Sequence, residues 1–444
     1  MPRGKKKRVK RSGGGGGGGE GSSGQQSEDG GFDTPDNASV ISSMSDAPSI
    51  MADGGTGVAT ADEVDESSAQ EQFEDKLKEA IDGTTQKSAK GRTECLLGLR
   101  KAFAKKYMPE FLIDRKMTVT DSLEKCLKKG KGEEQAAAAT CASLLVLQIG
   151  NGVDGECIFR ELTPVMTTIM ADTSASSKGR AACARSIGMC TFVAGDEWEH
   201  VTEVMKALER IFSQSYLRGD GASPKHSPDV CALHTSALAA WSLLVSIAPP
   251  NIAEELIDSH LSKLPQLLES SEVDLRITAG EVIALLYELA RENDEDFEGP
   301  HINQLCELLK ELATDSNKYR AKKDRRQQRS SFRDILRAVE ENDVPYERIR
   351  FGTEYIDIDS WARKRQYDCL CSMLSSGMNA HLQENDLVRE IFGLGAPLLP
   401  TASSTHKTTK FEKKMFNAAA FRERTKARSK FRDKRAVAVH MASS

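Results

Sequence analysis

Aromatic residues are scarce in this 444-residue chain, making up only 6% of it, while alanine and leucine are frequent. This composition favours helix over sheet. Long apolar runs are also missing. The two longest, Ala136–Ile149 and Ala232–Ala248, fall short of the roughly 20 residues that a membrane-spanning helix needs, and the second contains His234 and Trp241. Both runs therefore predict buried core helices of a soluble protein with no transmembrane segment.

The sequence also lacks the cysteine patterns of disulfide-rich and zinc-binding proteins. Its basic N-terminus is followed by glycines, so no apolar region of a signal peptide is present and the ten cysteines should be reduced thiols. Cys369 and Cys371 form a C-x-C, and no pair of histidines lies nearby at zinc-binding spacing. We therefore predict no metal site and no cofactor, and we expect the cysteines to be small core residues.

Catalytic motifs are equally absent. The glycine run Gly13–Gly19 matches a dinucleotide-binding pattern trivially, because no strand precedes it and no helix follows it. Gly130-Lys131-Gly132 lacks the glycine loop of a P-loop, and neither G-x-S-x-G nor H-E-x-x-H occurs. His234 lies inside an apolar helix and is interpreted as a core residue. The sequence thus predicts no catalytic residues and a protein that is not an enzyme.

Charge is present in quantity but is segregated along the chain, which has a formal net charge of −5. Residues 1–11 carry seven Lys or Arg and no acid, whereas residues 12–75 carry fourteen Asp or Glu and no Lys or Arg. Residues 318–337 have a net charge of +7, and residues 406–435 a net charge of +9. The overall balance therefore hides an acidic body with discrete basic patches, so the net charge says little about the partners of the chain.

The chain divides by composition into a tail and a helical body. Residues 1–70 are rich in Gly, Ser and acids and cannot bury enough apolar surface to fold, so we expect a disordered arm. From Phe73, apolar residues recur at helical spacing through Leu77 and Ile81, and helix then follows helix. No convincing alternating run predicts a strand.

The predicted helices form a repeat. Arg92, Gln135, Arg180 and Arg276 each follow a helix and a short polar turn and open a second helix, at intervals of 43, 45 and 96 residues, the last being twice 48. This period is typical of HEAT or armadillo arrays, whose helix pairs bury their apolar faces by stacking. We predict an all-α solenoid with about five repeats over residues 71–315, in which the marker arginines have a structural role, for example Arg276 with Asp274.

Beyond the repeats, residues 316–395 predict a long basic helix, Asn317–Glu341, and two capping helices, Ser360–Ser375 and His381–Phe392. The second half of the basic helix has apolar residues at helical spacing and should dock on a core, while its first half faces water or a polyanion. Residues 396–444 predict a linker and a basic helical extension.

Seven cations occupy every second position from Arg422 to Lys434. On a helix they would fall on two opposite sides, and in an extended segment all would face one way. Either geometry favours polyanion binding with release of counterions, although a nuclear-import signal or an inert tail is an alternative. Lys5, Lys6, Lys7 and Arg8 fit an import signal better. The predicted RNA-binding residues are Arg422, Arg424, Lys426, Arg428, Lys430, Arg432, Lys434 and Arg435 in this segment, and Lys318, Arg320, Lys322, Lys323, Arg325, Arg326 and Arg329 in the basic helix.

Several unusual strings occur in a familiar order: DKLKEAID, CLKKGKGEEQ, AGEVIALLYELAR, SSFRD and FNAAAFRERTKARSKFRDKRA. Over about residues 70–436 the chain resembles the interferon-related developmental regulator proteins. The resemblance implies an armadillo-type repeat domain and a regulator of gene expression. It associates the chain with transcriptional co-regulation in the nucleus and, for part of the family, with ribosome binding and silencing of translation.

Two functional hypotheses follow. In the first, the basic C-terminal segment, residues 405–436, enters a site lined by ribosomal RNA and represses translation. In the second, the repeats hold transcription factors or histone-deacetylase complexes during differentiation, and the basic segments serve nuclear import. Both imply protein partners on the solenoid and a location in cytoplasm and nucleus, without a membrane or a small-molecule substrate.

Overall fold

The computed structural model describes residues 61–397 apart from 196, 220, 223 and 316–320, with the backbone alone for residues 61–69. The chain divides into two units, Met1–Asp62 and Glu63–Ser444. Apart from the first two residues of one helix, every element described below belongs to the second unit.

Helices dominate the described residues. The repeat helices are α1 (Ala61–Gly83), α2 (Ala89–Lys105), α3 (Pro109–Ile113), α4 (Lys116–Lys129), α5 (Glu133–Ile149), α6 (Val153–Ala171), α7 (Ser177–Ala194), α8 (Trp198–Phe212), α9 (Pro228–Val245), α10 (Pro250–His260), α11 (Val273–Asn293), α12 (Ile302–Thr314) and α13 (Lys322–Glu341). The C-terminal elements are β1 (Glu347–Phe351), β2 (Glu354–Ile358), α14 (Trp361–Leu374), α15 (Met378–Glu384) and α16 (Asp386–Ile391).

The repeat helices stack as consecutive pairs. α4 packs on α5, α6 on α7, α8 on α9, α10 on α11 and α12 on α13. The second helices contact one another in the order α2, α5, α7, α9, α11 and α13, which we call the second-helix row. Alanine and other small residues line α5 and α7, so these helices approach closely and bury nearly every position of their middle turns. The predicted all-α, HEAT/armadillo-like fold is confirmed. The array extends past residue 315, because α13 is the second helix of the last pair.

The marker arginines have the structural role expected of them, with different acceptors. Arg180 Nε donates to the Met170 carbonyl at 2.8 Å, and Arg276 donates to the Ser270 carbonyl. Arg92 binds the carbonyls that end its own preceding turn and also reaches Glu134 of the next pair, with Nε 2.6 Å from Oε1. These side chains therefore satisfy backbone carbonyls in the turn, where we had expected an aspartate such as Asp274.

The apolar helix α9, His234 and most of the cysteines belong to the core of the protein. α9 is the one described helix long and apolar enough to cross a membrane, but 67% of it is buried inside the protein. His234 is buried in α9, with Nδ1 2.6 Å from the Ser215 hydroxyl, and burial lowers its pKa to about 4. Six of the ten cysteines are buried and unpaired, whereas Cys157 is exposed, an exception to the expected core role.

Residues 345–396 form a strap that lies across the second-helix row, although we had expected its helices to cap the end of the solenoid. α14 contacts α11, α9, α5 and α2 in turn. Arg365 Nη2 lies 2.8 Å from Glu281 Oε2 of α11, and Gln366 donates to the Ser246 hydroxyl at 3.1 Å. The Ser143 hydroxyl of α5 is 3.6 Å from Met373 Sδ. These contacts tie helices of three different pairs, together with α2, to one segment.

Towards its C-terminal end the strap forms a buried polar cluster with α2 and α5. His381 Nε2 donates to the Phe103 carbonyl at 3.2 Å, and its Nδ1 accepts from the Asn385 amide at 3.1 Å. The same amide donates to the Leu147 carbonyl at 2.9 Å. Gly377 makes this approach possible, because a methyl group there would lie 1.8 Å from the Ala104 carbonyl oxygen.

The strap also contains a β-hairpin, so the expectation of no strand was wrong. β1 and β2 pair antiparallel, with Arg348 opposite Asp357 and Arg350 opposite Tyr355. Gly352 in the turn has a φ of 52°, which glycine adopts readily. Alternation places Ile349, Phe351, Ile356 and Ile358 on the side that packs against the protein.

Candidate nucleic-acid interface

The structure describes only part of the predicted RNA-binding set. The alternating cations from Arg422 to Lys434, together with Arg435, lie outside the described residues, as do Lys318, Arg320 and the N-terminal group Lys5 to Arg8. Lys322, Lys323, Arg325, Arg326 and Arg329 all lie in the first half of α13. The candidate interface is therefore built on this helix.

α13 is held by its buried side. Gln328, Phe332, Ile335 and Val339 recur at helical spacing and are fully buried against α11 and α12. Gly280 of α11 lets the helices approach, since a methyl group there would lie 2.8 Å from Ile335 Cδ1. Because these side chains are buried and the two helices approach closely, α13 is a rigid support for its surface residues.

A second side of the helix, about 120° around from the buried one, carries a row of cations of which Arg329 is half-buried and the others are exposed. Lys322, Arg326, Arg329 and Arg333 recur at i, i+4, i+7 and i+11, so they share one helical face about 16 Å long. We call them the α13 stripe. None of the four makes an ion pair within 4 Å with an acid among the residues that the structure describes. A straight row of unpaired cations suits the regularly spaced charges of a phosphate backbone.

The remaining predicted cations of α13 lie beside the stripe. Lys323 is exposed on one flank, and Arg325 is half-buried on the other. Arg325 Nε is buried without a hydrogen-bond partner among the described residues. Of the five described candidates, three thus belong to the stripe and two flank it.

Arg333 was missed by the sequence analysis, although it completes the stripe. It is exposed and stands four residues after Arg329. The helical period could have identified Arg333, because positions i, i+4, i+7 and i+11 counted from Lys322 end at this residue. Arg337, one turn further on, differs because it pairs with Asp334 at 2.6 Å and Asp343 at 3.2 Å.

Comparison with known proteins identifies a family for this chain. The family model described as interferon-related developmental regulator matches residues 37–340, and a second, described as interferon-related protein conserved region, matches residues 385–436. The second match contains the alternating cations. A designed armadillo repeat protein aligns with 60% of this chain and all of its own, at 14% identity and a TM-score of 0.36.

Full-length relatives extend the match. Interferon-related developmental regulator 1 of Homo sapiens is 45% identical over 411 residues, covering 92% of this chain and 89% of the relative. Interferon-related developmental regulator 2 of Mus musculus is 46% identical over 397 residues, covering 89% of this chain and 90% of the relative. The chain therefore belongs to the interferon-related developmental regulator family.

Proposed function

We propose that this family member regulates gene expression without catalysis, by binding the ribosome and repressing translation. The helical-repeat body docks on the particle, and the basic C-terminal segment, residues 405–436, enters a site lined by ribosomal RNA. Occupation of that site by protein excludes mRNA or tRNA from it. The α13 stripe supplies a second contact with the RNA backbone.

The observation that carries the proposal is the α13 stripe. Four cations without acidic partners among the described residues share one face of a helix that is anchored through a separate, buried face. Surface cations in proteins are commonly balanced by nearby acids, and outside its basic segments this chain is acidic. An unbalanced row on a rigid helix therefore supports a role in binding a polyanion.

The alternating cations strengthen the proposal through the size of the electrostatic effect. Seven neutralised phosphates give a slope of log affinity against log salt of about −5 for single-stranded RNA, and the stripe adds about −3. Binding with this combined slope is tight at low salt and nearly lost at high salt. Such behaviour is a direct signature of phosphate contacts.

Cosedimentation with purified ribosomes at constant magnesium and varied potassium chloride tests the proposal. We expect the full chain to pellet with ribosomes at low salt, and deletion of residues 405–436 to abolish the interaction at physiological salt. Replacing Lys322, Arg326, Arg329 and Arg333 together by glutamine should reduce the magnitude of the salt slope by about 3.

A matched control removes the same charge elsewhere. Lys125, Lys128, Lys129 and Lys131 are exposed around the end of α4, where Lys128 pairs with Glu124 at 2.6 Å, and their replacement by glutamine should leave the slope unchanged. An equal loss in both variants would indicate general electrostatic attraction and contradict a specific interface.

The alternative, a nuclear co-regulator that holds transcription factors or histone-deacetylase complexes, predicts a different result. Deleting residues 405–436 would then leave protein pull-downs intact and change only nuclear entry. A partner in that mechanism needs access to the repeats, and the strap already covers parts of α5, α9 and α11. We therefore favour the ribosomal function.

A further inference from the structure

The hairpin presents an unusual outer surface. Strand alternation places Arg348, Arg350, Tyr355 and Asp357 on the side away from the buried isoleucines, and Tyr346 precedes β1 beside them. We call these five residues the hairpin face. Tyr346 is 64% exposed and Tyr355 54%, and they are the only two aromatic residues among the large exposed hydrophobic residues that the structure describes.

Hydrogen bonds hold the hairpin face in one arrangement. Asp357 accepts from Arg348, with Nε at 2.7 Å and Nη2 at 3.0 Å, and from the Tyr346 hydroxyl at 2.9 Å. The Arg348 guanidinium also stacks 4.3 Å from the centre of the Tyr355 ring. The hydrogen bond from Arg348 lowers the pKa of Asp357, which therefore stays ionised. The two tyrosines and Arg348 are thus ordered before any partner arrives.

Arg350 is the cation of the hairpin face that can bind a phosphate. It is exposed, lies opposite Tyr355 in the pairing, and makes no ion pair with an acid in the described part of the chain. Two aromatic rings beside a free arginine provide stacking surface and phosphate contact together.

The hairpin is hydrogen-bonded to the last part of the chain that the structure describes. Arg389 of α16 binds Glu354 of β2 through both nitrogens, with Nη2 2.8 Å from Oε1 and Nη1 3.0 Å from Oε2. The same side chain donates to the Gly395 carbonyl at 2.7 Å, two residues before the last described residue, Pro397. Arg389 therefore joins the hairpin to Gly395, which precedes the basic segment 405–436 by ten residues in the sequence.

We propose that the hairpin face binds single-stranded RNA, with bases stacked on Tyr346 and on the side of the Tyr355 ring that Arg348 does not cover, and with a phosphate at Arg350. The proposal rests on the RNA-binding function above and adds a site that recognises unpaired bases. Stacking tolerates any base because every base has an aromatic face, so the site is selective for single strands and not for a sequence.

The size of the surface favours RNA over a protein partner. Two strands of five residues cover about 17 Å by 10 Å, or about 170 Å². This is roughly a fifth of the 800 Å² or so that each partner contributes to a stable protein interface. One or two stacked nucleotides fit within that area.

Fluorescence anisotropy with a labelled twelve-nucleotide oligouridylate tests the proposal, using the full chain and the chain without residues 405–436. We expect replacement of Tyr346 and Tyr355 together by alanine to weaken binding at least tenfold in both backgrounds. The slope of log affinity against log salt should stay the same, because no phosphate contact is lost. Arg350→Gln should instead reduce the magnitude of that slope by about 0.7.

Replacement of both tyrosines by phenylalanine is the matched control. It removes the hydroxyl groups, and with them the hydrogen bond from Tyr346 to Asp357, but keeps both rings, so any loss of binding should be much smaller than in the alanine variant. Both tyrosines are exposed, and a thermal melt of each variant checks that the fold is intact.

Three outcomes would overturn the proposal. If the alanine variant binds RNA as the original chain does while deletion of residues 405–436 weakens binding, the hairpin site is wrong and the proposed function survives. If the alanine variant binds oligouridylate normally but cosediments poorly with ribosomes, the face contacts protein. If the original chain binds no oligouridylate at all, the hairpin site fails, and ribosome cosedimentation decides the proposed function separately.

Discussion

α13 and α14 are both basic helices of the C-terminal third, yet they use their charges in opposite ways. α14 opens with Arg363, Lys364 and Arg365, which pair with Asp359 at 3.7 Å, Asp368 at 2.7 Å and Glu281 at 2.8 Å respectively. The α13 stripe meets no acid among the described residues. The density of cations in a sequence therefore does not measure the charge available to a partner.

The difference arises from what each helix packs against. α14 lies across the second-helix row, where α11 offers Glu281 to Arg365 and Glu288 to the backbone nitrogens of Trp361 and Ala362, at 2.7 Å and 3.0 Å. Glu288 thus caps the start of α14. α13 buries an apolar side in the last repeat and leaves Lys322, Arg326 and Arg333 of the stripe exposed, with Arg329 half-buried. Position in the array, more than composition, separates a structural helix from a candidate interface.

The largest predicted effect is a loss of stability when Arg365 of α14 is replaced. Its side chain is 9% exposed and that of Glu281 15%, so Arg365→Ala leaves a buried carboxylate without its partner. We expect the free energy of unfolding to fall by about 3–5 kcal/mol, measured by urea denaturation. Combining Arg365→Met with Glu281→Leu should recover most of the loss. A decrease below about 1 kcal/mol in the single variant would mean that the strap is not anchored there.

Acid should weaken the strap and leave the α13 stripe charged. Burial lowers the pKa of His381 to about 4, and the pKa of an unfolded histidine is about 6.5. The folded state therefore favours neutral His381, whose Nδ1 accepts from Asn385, and protonation would place two donors face to face. This stability is fully present above pH 6.5 and is lost as the pH falls towards 4, at a cost of about 3 kcal/mol.

Urea denaturation at pH 7.5 and pH 4.5 checks this expectation. His381→Gln keeps a donor for the Phe103 carbonyl and cannot titrate, so its midpoint should depend less on pH than that of the original chain. His234, whose pKa burial also lowers to about 4, leaves some dependence in both proteins. Identical pH profiles would argue against His381 as a contributor.

A single stripe residue should affect binding without affecting stability. Arg333→Gln is expected to reduce the magnitude of the salt slope of ribosome binding by about 0.7–0.9, the same as Arg326→Gln, because both cations share one helical face. The free energy of unfolding should change by less than about 0.5 kcal/mol. A normal slope for Arg333→Gln alone would remove this residue from the interface.

The smallest effect belongs to the paired cations of α14. Arg363 and Lys364 already have acidic partners, so replacing both by glutamine should leave the salt slope of ribosome binding unchanged within error. The same cosedimentation measurement serves here. If the magnitude of the salt slope fell as much as it does on replacing two stripe residues, the proposed difference between α13 and α14 would be wrong.

The repeat architecture was predictable because its signals are local and recur. The markers Arg92, Gln135, Arg180 and Arg276 all stand near the start of a second helix, as the 43–48-residue period indicated. The hairpin was missed although its residues do alternate, with Ile349 and Phe351 facing in and Arg348 and Arg350 facing out. Two five-residue strands give a weak pattern when helical spacing surrounds them on both sides.

The path of the strap had no comparable signal. Met373 meets Ser143, and Asn385 meets the Leu147 carbonyl, across more than 200 residues of sequence. No local sequence pattern near Met373 or Asn385 predicts these contacts. The same limit applies to the cations, because the acids that neutralise α14 include Glu281, 84 residues away.

By itself the sequence determined the helices, their pairing into repeats and the placement of cations along the chain, because these follow from the spacing of residue types over one or two turns. The tertiary structure alone decided that the strap crosses the second-helix row, that α14 uses its charges internally and that the hairpin turns two tyrosines outwards. These features depend on which distant surfaces meet, and burial and pairing across such contacts decide which groups remain available to a partner.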